Sequence, residues 1–376
     1  MLINIDNQSK TPLVTQIRQQ IRTQMQHGRL TPGQRLPSMR QLSKECEVSL
    51  GIVQQAINAL TVEGVLRSTP GAGVYVAEPK LEVANVALVL PTLEMEQMSQ
   101  IIHGVKQGLV GSKAQLLVQS AQLDFSHELE MIESLDVSNV NGVIIFPPPF
   151  NCSASAIREL QSRGKPVVLV NSLIDGLDID TVAIDRIEMG MQVFERLLSA
   201  GHRHIGLVDH NSDTRWHRQL FEGADRVYTR MGMRLSDLHT IKTDAMDLNP
   251  REPWANGQKA ATQLLANHPD ITALVGVNEN ISLGCWRAAK ASGRLLPQEL
   301  SVCSIGDLSL FDNIEPSLTV VDVPHREMGR VAAELLMNLL RGNGDGYHQV
   351  IRLGTRIIER QSIGNMNIPA GSSLSH

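Results

Sequence analysis

The sequence predicts two architectures in one chain: a small α+β module of three helices and a hairpin, then a long, doubly wound α/β body. Three observations predict it. Apolar residues at helical spacing run from about residue 12 to 64 and give way to two β-prone runs around Pro70, Gly71 and Gly73. From Ala84 onward, short β-branched runs alternate with amphipathic helical patterns, as parallel sheets require. Charge divides at the same place. Residues 1–80 carry nine Lys and Arg against five Asp and Glu, net +4, and the remaining 296 carry 25 against 34, net −9. A basic front on an acidic body points to a polyanion met by the front alone.

Each element of the front follows from local chemistry. Leu13, Ile17, Ile21 and Met25 recur every four residues, so a first helix begins near Pro12 and stops before Gly28. In "LTPGQRLP", Pro32-Gly33 breaks that helix and Pro37 restricts the backbone ahead of it. Ser38 followed by Gln41 has capping-box spacing and starts a short second helix over about 39–46. Ser49 caps a third helix with Val53, Ala56, Ile57 and Leu60 on one face, ended by Gly64. "VLRSTPGAGVYV" then reads as a hairpin. Three helices with a tight second turn and a closing hairpin make a winged helix-turn-helix, whose third helix fits a DNA major groove. A helical module that docks protein shares the same periodicity.

In the body, "VALVLP", "QLLVQS", "GVIIFP", "PVVLVN", "HIGLVD", "ALVGVN" and "LSVCSIG" are buried-strand candidates. About 280 residues is much for one sheet, so two lobes with a ligand cleft at the strand C-termini are expected. No GxxxxGK[ST] or GxGxxG follows a strand, so phosphate-cradling loops are not indicated. Cys46, Cys152, Cys285 and Cys303 are scattered without ligand spacing and are expected as buried, reduced thiols. The N-terminus lacks a basic-then-apolar leader, and no apolar run is long enough to span a membrane, so a cytoplasmic protein is expected. His202 and His204 in "GHRHIG" have the look of a metal pair, yet no metal and no cofactor is expected. Asp185 and Glu188 lack a Ser, Cys or His partner at catalytic spacing, so no enzyme is expected. The proline run at 147–149 ends a strand and could line the cleft. Val331, Leu335, Leu336 and Leu339 form a helix core face.

"PLVTQIRQQI", "GRLTPGQRLPSMRQLSKECEVS", "VQQAINALTVEGVL" and "GAGVYV" resemble the DNA-binding domain of GntR-family bacterial transcription regulators over about residues 10–77. That resemblance implies DNA contacts at Arg35, Ser38, Arg40, Ser49, Gly71 and Gly73. Where the family has VSRxTV this chain reads "VSLGIV", so specificity should lean on Leu50, Gln54 and Gln55, with Leu50 against a thymine methyl.

"NGVIIFPPP", "KPVVLVN", "TVAIDRIEMGMQVFERLLSAGHRHIGLV", "ALVGVNENISLGCWRAAKASGRLLPQELSVCSIGD" and "EPSLTVVDVPHREMGRVAAELLMNLLRG" resemble, in that order, the sensor domain of LacI/GalR-type repressors. Its fold, the periplasmic-binding-protein-like type I fold, is expected over about 83–362. The resemblance implies a winged helix-turn-helix over 1–78, a linker over 79–84, a sensor and dimerisation domain over 85–364 and a tail over 365–376. One lobe would hold 85–184 and 322–342, the other 187–320 and 348–364, including a final strand "HQVIRLGTRIIER". The implied function is a one-component regulator, a repressor whose homodimer holds operator DNA under control of a small effector. A GntR-like fusion enzyme would need a Schiff-base lysine in a recognisable setting, and none is found. A transport-type binding protein would fit neither the front domain nor the missing leader.

The pocket departs most from that family. The family's Arg position falls on Leu220, counted from Gly223, and its strand-end Asp falls on Gly306, with Asp307 one residue away. Asn278 survives, with Glu279 in place of Asp. Each hydroxyl buried without a partner costs about 1–3 kcal/mol, so an ordinary free hexose or pentose is not expected. Asp185, Arg186, Arg215, Asn278, Glu279 and Asp307 are the expected effector contacts, for a less hydroxylated or charged ligand.

Overall fold

A computed structural model describes residues 5, 9, 11–26, 29–69, 73–77, 84–137, 140–147, 153–210, 214–243, 252–342 and 347–366. The front begins with α1 (Leu13–Gln26), α2 (Met39–Glu45) and α3 (Leu50–Val62), followed by β1 (Leu66–Thr69) and β2 (Gly73–Val76). The two strands pair antiparallel, Leu66 opposite Val76 and Thr69 opposite Gly73. Ile17, Ile21, Leu36, Leu42, Val53, Ile57, Leu60 and Val76 close one core, so the helical periodicity is spent on burial. Ser38 caps α2 by accepting from the Gln41 N–H at 3.2 Å. The reciprocal half of the expected capping box is absent: the Gln41 amide donates to Glu45 at 3.0 Å instead, since one helical turn brings that carboxylate within reach. Arg18 and Arg22 of α1 both pair with Glu63 at the end of α3, which removes them from the charge offered to a polyanion.

The body is two six-stranded sheets. The first comes from β3 (Asn85–Leu90), α4 (Glu96–Gly108), β4 (Gln115–Ser120), α5 (Phe125–Val137), β5 (Gly142–Ile145), α6 (Ala154–Ser162), β6 (Val167–Asn171) and β7 (Asp180–Ile184). The second comes from α7 (Arg186–Ser199), β8 (Ile205–His210), α8 (Arg215–Arg230), β9 (Leu238–Thr243), α9 (Ala255–Asn267), β10 (Ala273–Gly276), α10 (Glu279–Ala291), β11 (Ser301–Ile305) and β12 (Thr319–Asp322). The chain then runs through α11 (His325–Leu340), β13 (Val350–Leu353) and β14 (Arg356–Ile358). The sheet orders are β13-β7-β6-β5-β3-β4 and β14-β12-β11-β10-β8-β9, every pairing parallel except β14 on β12. Strands such as β5, β7 and β11 are buried along their whole length, because helices cover both faces.

The expected final strand needs correction. "HQVIRLGTRIIER" is two strands in two lobes: β13 lies parallel to β7, with Val350 opposite Thr181, while β14 runs antiparallel to β12. Gly354 and Thr355 carry the crossing, and Gln192 of α7 holds Thr355 through both its amide atoms at 3.0 Å. The chain thus passes between sheets at 184–186, 322–325 and 353–356. The expected linker over 79–84 lies outside the described residues except Ala84, and so does the tail beyond residue 366.

Helix pairs are held close by glycine. A Cβ on Gly223 of α8 would sit 2.2 Å from the Ile187 carbonyl oxygen of α7, and one on Gly190 would sit 2.4 Å from the Leu220 carbonyl oxygen. Gly104 with Gly329 and Gly257 with Gly284 play the same part between α4 and α11 and between α9 and α10. Cys46, Cys285 and Cys303 are free and buried; Cys152 lies outside the described residues. Among the described residues no helix is long and apolar enough to cross a membrane.

Candidate DNA-reading face and effector cleft

On the front domain, the buried face of α3 leaves Gly51, Gln54, Gln55 and Asn58 turned outward, with Leu50 42% exposed. Ile52, at the position where the family pattern has Thr, is half-buried against the domain core and offers nothing to DNA. Ser49 caps α3 by accepting from the Ile52 N–H at 3.4 Å, so its hydroxyl is partly engaged. Arg35 and Arg40 are exposed. Arg35 bridges Tyr75 of β2 through its backbone, and its guanidinium lies over Gly73, where a Cβ would come within 3.0 Å of Nε. Gly73 is required twice, since its φ of +115° also disfavours a side chain. Arg67 stacks on Tyr75 at 5.2 Å. Arg29, Gln34, Arg35 and Gln41 rim a shallow hollow beside the start of α2. Gly71 lies outside the described residues.

In the body, a cleft of about 280 Å³ lies where the C-terminal ends of β6 and β7 face the start of α8. It is lined from the first lobe by Asn171, Ser172, Leu173 and Asp175, and from the second by Arg186, Arg215, Trp216, Arg218 and Gln219. Arg352 of β13 closes the hinge side. Arg186 opens α7 at the first crossing and reaches back to Asn171, donating from Nη2 to Oδ1 at 2.7 Å. Its guanidinium lies 5.0 Å from the Trp216 ring, and burial pushes its pKa down to about 10. Arg215 pairs with Asp175 across the cleft at 2.8 Å.

The other expected contacts are placed differently. Asp185 caps α7 by accepting from the Glu188 N–H at 3.0 Å, which is the physical reason for that Asp–Glu spacing. Asn278 caps α10 through Oδ1 at 2.8 Å, while its amide nitrogen meets His210 Nε2 at 3.0 Å. Burial lowers His210 to about 4, so the ring is neutral and Nε2 accepts that bond. Asp307 is taken by Arg360, at 2.6 and 3.0 Å. Glu279 is 6% exposed and packs on Gly306, where a Cβ would sit 2.3 Å from its Oε1. Glu279 thus occupies the space that a strand-end side chain at 306 would fill. Leu220 is fully buried against α7 and puts no polar group in the cleft. Asn171, Trp216, Arg218 and Arg352, all cleft-lining, were not among the expected residues; only the fold, which joins four distant segments, brings them together.

The His202–His204 pair does not form. His202 turns inward, fully buried, lowered to about 4 by burial and hydrogen-bonded to Thr272 at 2.9 Å. His204 turns outward and meets Asp270 at 3.0 Å, with the possible ligand atoms of His204, His239 and Asp270 within 4.8 Å of one another. Pro147 is buried; the next two prolines of the run lie outside the described residues.

Comparison with known proteins agrees with both halves. Residues 13–76 match the bacterial regulatory proteins of the gntR family, and residues 194–363 match the periplasmic binding protein-like domain. The chain is 23% identical over 341 residues to the arabinose metabolism transcriptional repressor of Geobacillus stearothermophilus, covering 88% of this chain and 91% of that one. It is 22% identical over 340 residues to the HTH-type transcriptional repressor CytR of Escherichia coli K12, covering 87% and 94%. Among solved structures, the transcriptional regulator CelR–cellobiose complex aligns with a TM-score of 0.65 at 21% identity, over 87% of this chain and all of that one. A LacI family regulator from Enterococcus faecium with bound ribose aligns at 0.63 and 21%, over 75% and 99%. The protein is of the DNA-binding regulator class: a winged helix-turn-helix joined to an α/β sensor of parallel sheets. Specifically, it combines a domain matched by the gntR family of bacterial regulatory proteins with a periplasmic-binding-protein-like domain.

Proposed function

We propose that the chain works in the cytoplasm as a homodimeric repressor that reads a two-fold operator and changes affinity when a small molecule enters the cleft. The observation that carries this reading is the outward face of α3, where Gln54 and Gln55 stand between Leu50 and Asn58 on a helix whose other side is core. Gln pairs with adenine in the major groove, Leu50 offers an apolar contact to a thymine methyl, and Arg35 and Arg40 supply phosphate contacts. Two half-sites read by two copies account for operator two-fold symmetry. The two relatives compared above are named as transcriptional repressors, one of them of arabinose metabolism. The cleft spans elements of both lobes, so any ligand that prefers one lobe arrangement biases the dimer, with a coupling of about 1–3 kcal/mol.

Arg40 tests the DNA face. It is exposed and makes no ion pair or side-chain hydrogen bond among the described residues, so removing it should leave folding intact. Arg40→Ala is expected to weaken promoter and unrelated duplex alike, and to lower the slope of log affinity against log salt by about one. Fluorescence anisotropy across a salt series measures this, with light scattering reporting the dimer. An unchanged slope would remove Arg40 from the DNA face, and a monomer on the promoter would overturn the dimer.

A further inference from the structure

We propose that the effector is an anion, a small molecule presenting a carboxylate or phosphate group to Arg186, with Arg352, Arg218 and Arg215 around it. This rests on the reading of the cleft as the effector site.

Among the described residues that line the cleft are four arginines, Arg186, Arg215, Arg218 and Arg352, and one carboxylate, Asp175. Asp175 is already paired with Arg215. Among the described lining residues nothing acidic is left to balance Arg186 and Arg352. Outside the lining, Asp185 is held by its helix N–H, and Asp307 by Arg360.

Arg186 is the sharpest case. Its partners are neutral: the Asn171 side chain at 2.7 Å, the Asn171 carbonyl at 3.4 Å and the face of Trp216. Both hydrogen bonds leave from Nη2, so Nε and Nη1 carry no bond among the described residues. A guanidinium has five N–H donors in a planar fork, and a charge drawn out of water is ordinarily matched by an opposite one. His325, at the second crossing, is held neutral by burial and by this same arginine, so it adds no second positive charge, and no histidine can supply a negative one.

Geometry adds direction. Trp216 fixes the guanidinium plane and Asn171 fixes one edge, so the remaining edge is oriented before any ligand arrives. Asn171 itself sits at φ +73°, a conformation Asn tolerates better than most residues. The first turn of α8 opens on the same cleft, and the hydroxyl of its cap residue Thr214 bonds His217 Nδ1 at 2.7 Å rather than the helix N–H groups. Those amides reinforce the positive field. An oxyanion fits this setting, and a cation does not. A neutral polyol would find few acceptors, since Asp185, Asn278 and Asp307 are all engaged elsewhere.

The test uses the full-length protein and its Arg186→Gln variant. Thermal unfolding is followed with inorganic phosphate or with acetate, each against sodium chloride at matched ionic strength. Phosphate, acetate or both should stabilise the wild type beyond chloride, and that excess should vanish in Arg186→Gln. The larger excess identifies the oxyanion. Without added anion, Arg186→Gln should be at least as stable as wild type, because it removes an unbalanced charge. Arg352→Gln should shrink the excess without abolishing it. Titration with ribose and ribose 5-phosphate then asks the same of a sugar frame: the phosphorylated form should bind about tenfold tighter or more, a gap of at least 1.4 kcal/mol, and lose that advantage in Arg186→Gln. An equal anion response in wild type and variant overturns the proposal, and where phosphate gives the larger excess, so does free ribose binding as tightly as its phosphate. Promoter binding, measured separately, tells this failure apart from failure of the regulatory reading. A protein that binds anion at Arg186 but no DNA loses only the latter.

Discussion

Replacing Gly223 by alanine is expected to cost about 3 kcal/mol of stability, the upper part of the range for overpacking, and to disturb the cleft as well as the core. The added Cβ would lie 2.2 Å from the Ile187 carbonyl oxygen and 2.9 Å from the Met191 N–H nitrogen, both backbone atoms of α7 that cannot rotate away. Helices α7 and α8 must therefore separate. Because Arg186 begins α7 while Arg215, Trp216 and Arg218 begin α8, the separation moves both walls of the cleft against each other. At roughly 2–4 °C per kcal/mol, the melting temperature should fall by some 6–12 °C. Gly232→Ala is the control: its φ is +70°, but nothing lies within 4 Å of the new Cβ, so only backbone strain of about 1–2 kcal/mol applies. Urea unfolding of the two variants separates steric from dihedral cost. A Gly223→Ala protein no less stable than Gly232→Ala would mean that the α7–α8 contact is not a close-packed one.

What was legible in the sequence was local. The period of Leu13, Ile17 and Ile21, the caps at Ser38 and Ser49 and the breaker at Gly64 are written within a few residues of where they act, and the elements lie where those signals put them. Most buried strands announced themselves as unbroken β-branched runs, but the fully buried β7, "DTVAI", was missed, and "QLLVQS", expected as a buried strand, is the half-exposed edge strand β4. Strand β9, "LHTIKT", was missed as well: it is an edge strand whose burial alternates, and its polar residues hid it. The division of "HQVIRLGTRIIER" between lobes was equally hidden, because a crossing of two residues carries no signal stronger than one glycine. The cleft was legible only in part. Arg186 and Arg215 could be named from the resemblance, but Asn171, Trp216 and Arg352 come from separate elements joined only by the crossings. The pairing of Asp307 with Arg360 spans 53 positions and removes from the pocket a carboxylate that spacing alone placed beside it. Spacing likewise joined His202 to His204, but both lie in the turn ahead of β8, where His202 turns inward to Thr272 and His204 outward to Asp270.

Glu279 gives the second large effect, and its sign follows from burial. Its carboxyl sits at the first turn of α10, 6% exposed, packed on Gly306. Burial raises its pKa to about 7, and the nearby Asp307 and Glu96 push the same way, while a bond from its own backbone N–H opposes them without winning. The folded state therefore holds a proton that the unfolded chain, with an ordinary value of 4.5, has given up. Stability should be greatest below pH 4.5 as far as this group is concerned, fall as pH rises towards about 7, and stay lowered above it. Glu279→Gln keeps the shape and cannot ionise. It is expected to match wild type near pH 4.5 and to exceed it by roughly 3 kcal/mol at pH 8, at about 1.4 kcal/mol per pKa unit. Denaturant unfolding of both proteins across that range checks it, and a constant difference with pH would show that the carboxyl is ionised in the folded state. Gly306→Asp completes the argument. It would place a carboxylate at the strand end, where the related family has one, but the new Cβ would lie 2.3 Å from Glu279 Oε1 at a φ of +87°. On its own it should destabilise the second lobe. Combined with Glu279→Ala, which empties the space, it should recover most of that loss, because the two positions compete for a single volume at the C-terminal end of β11.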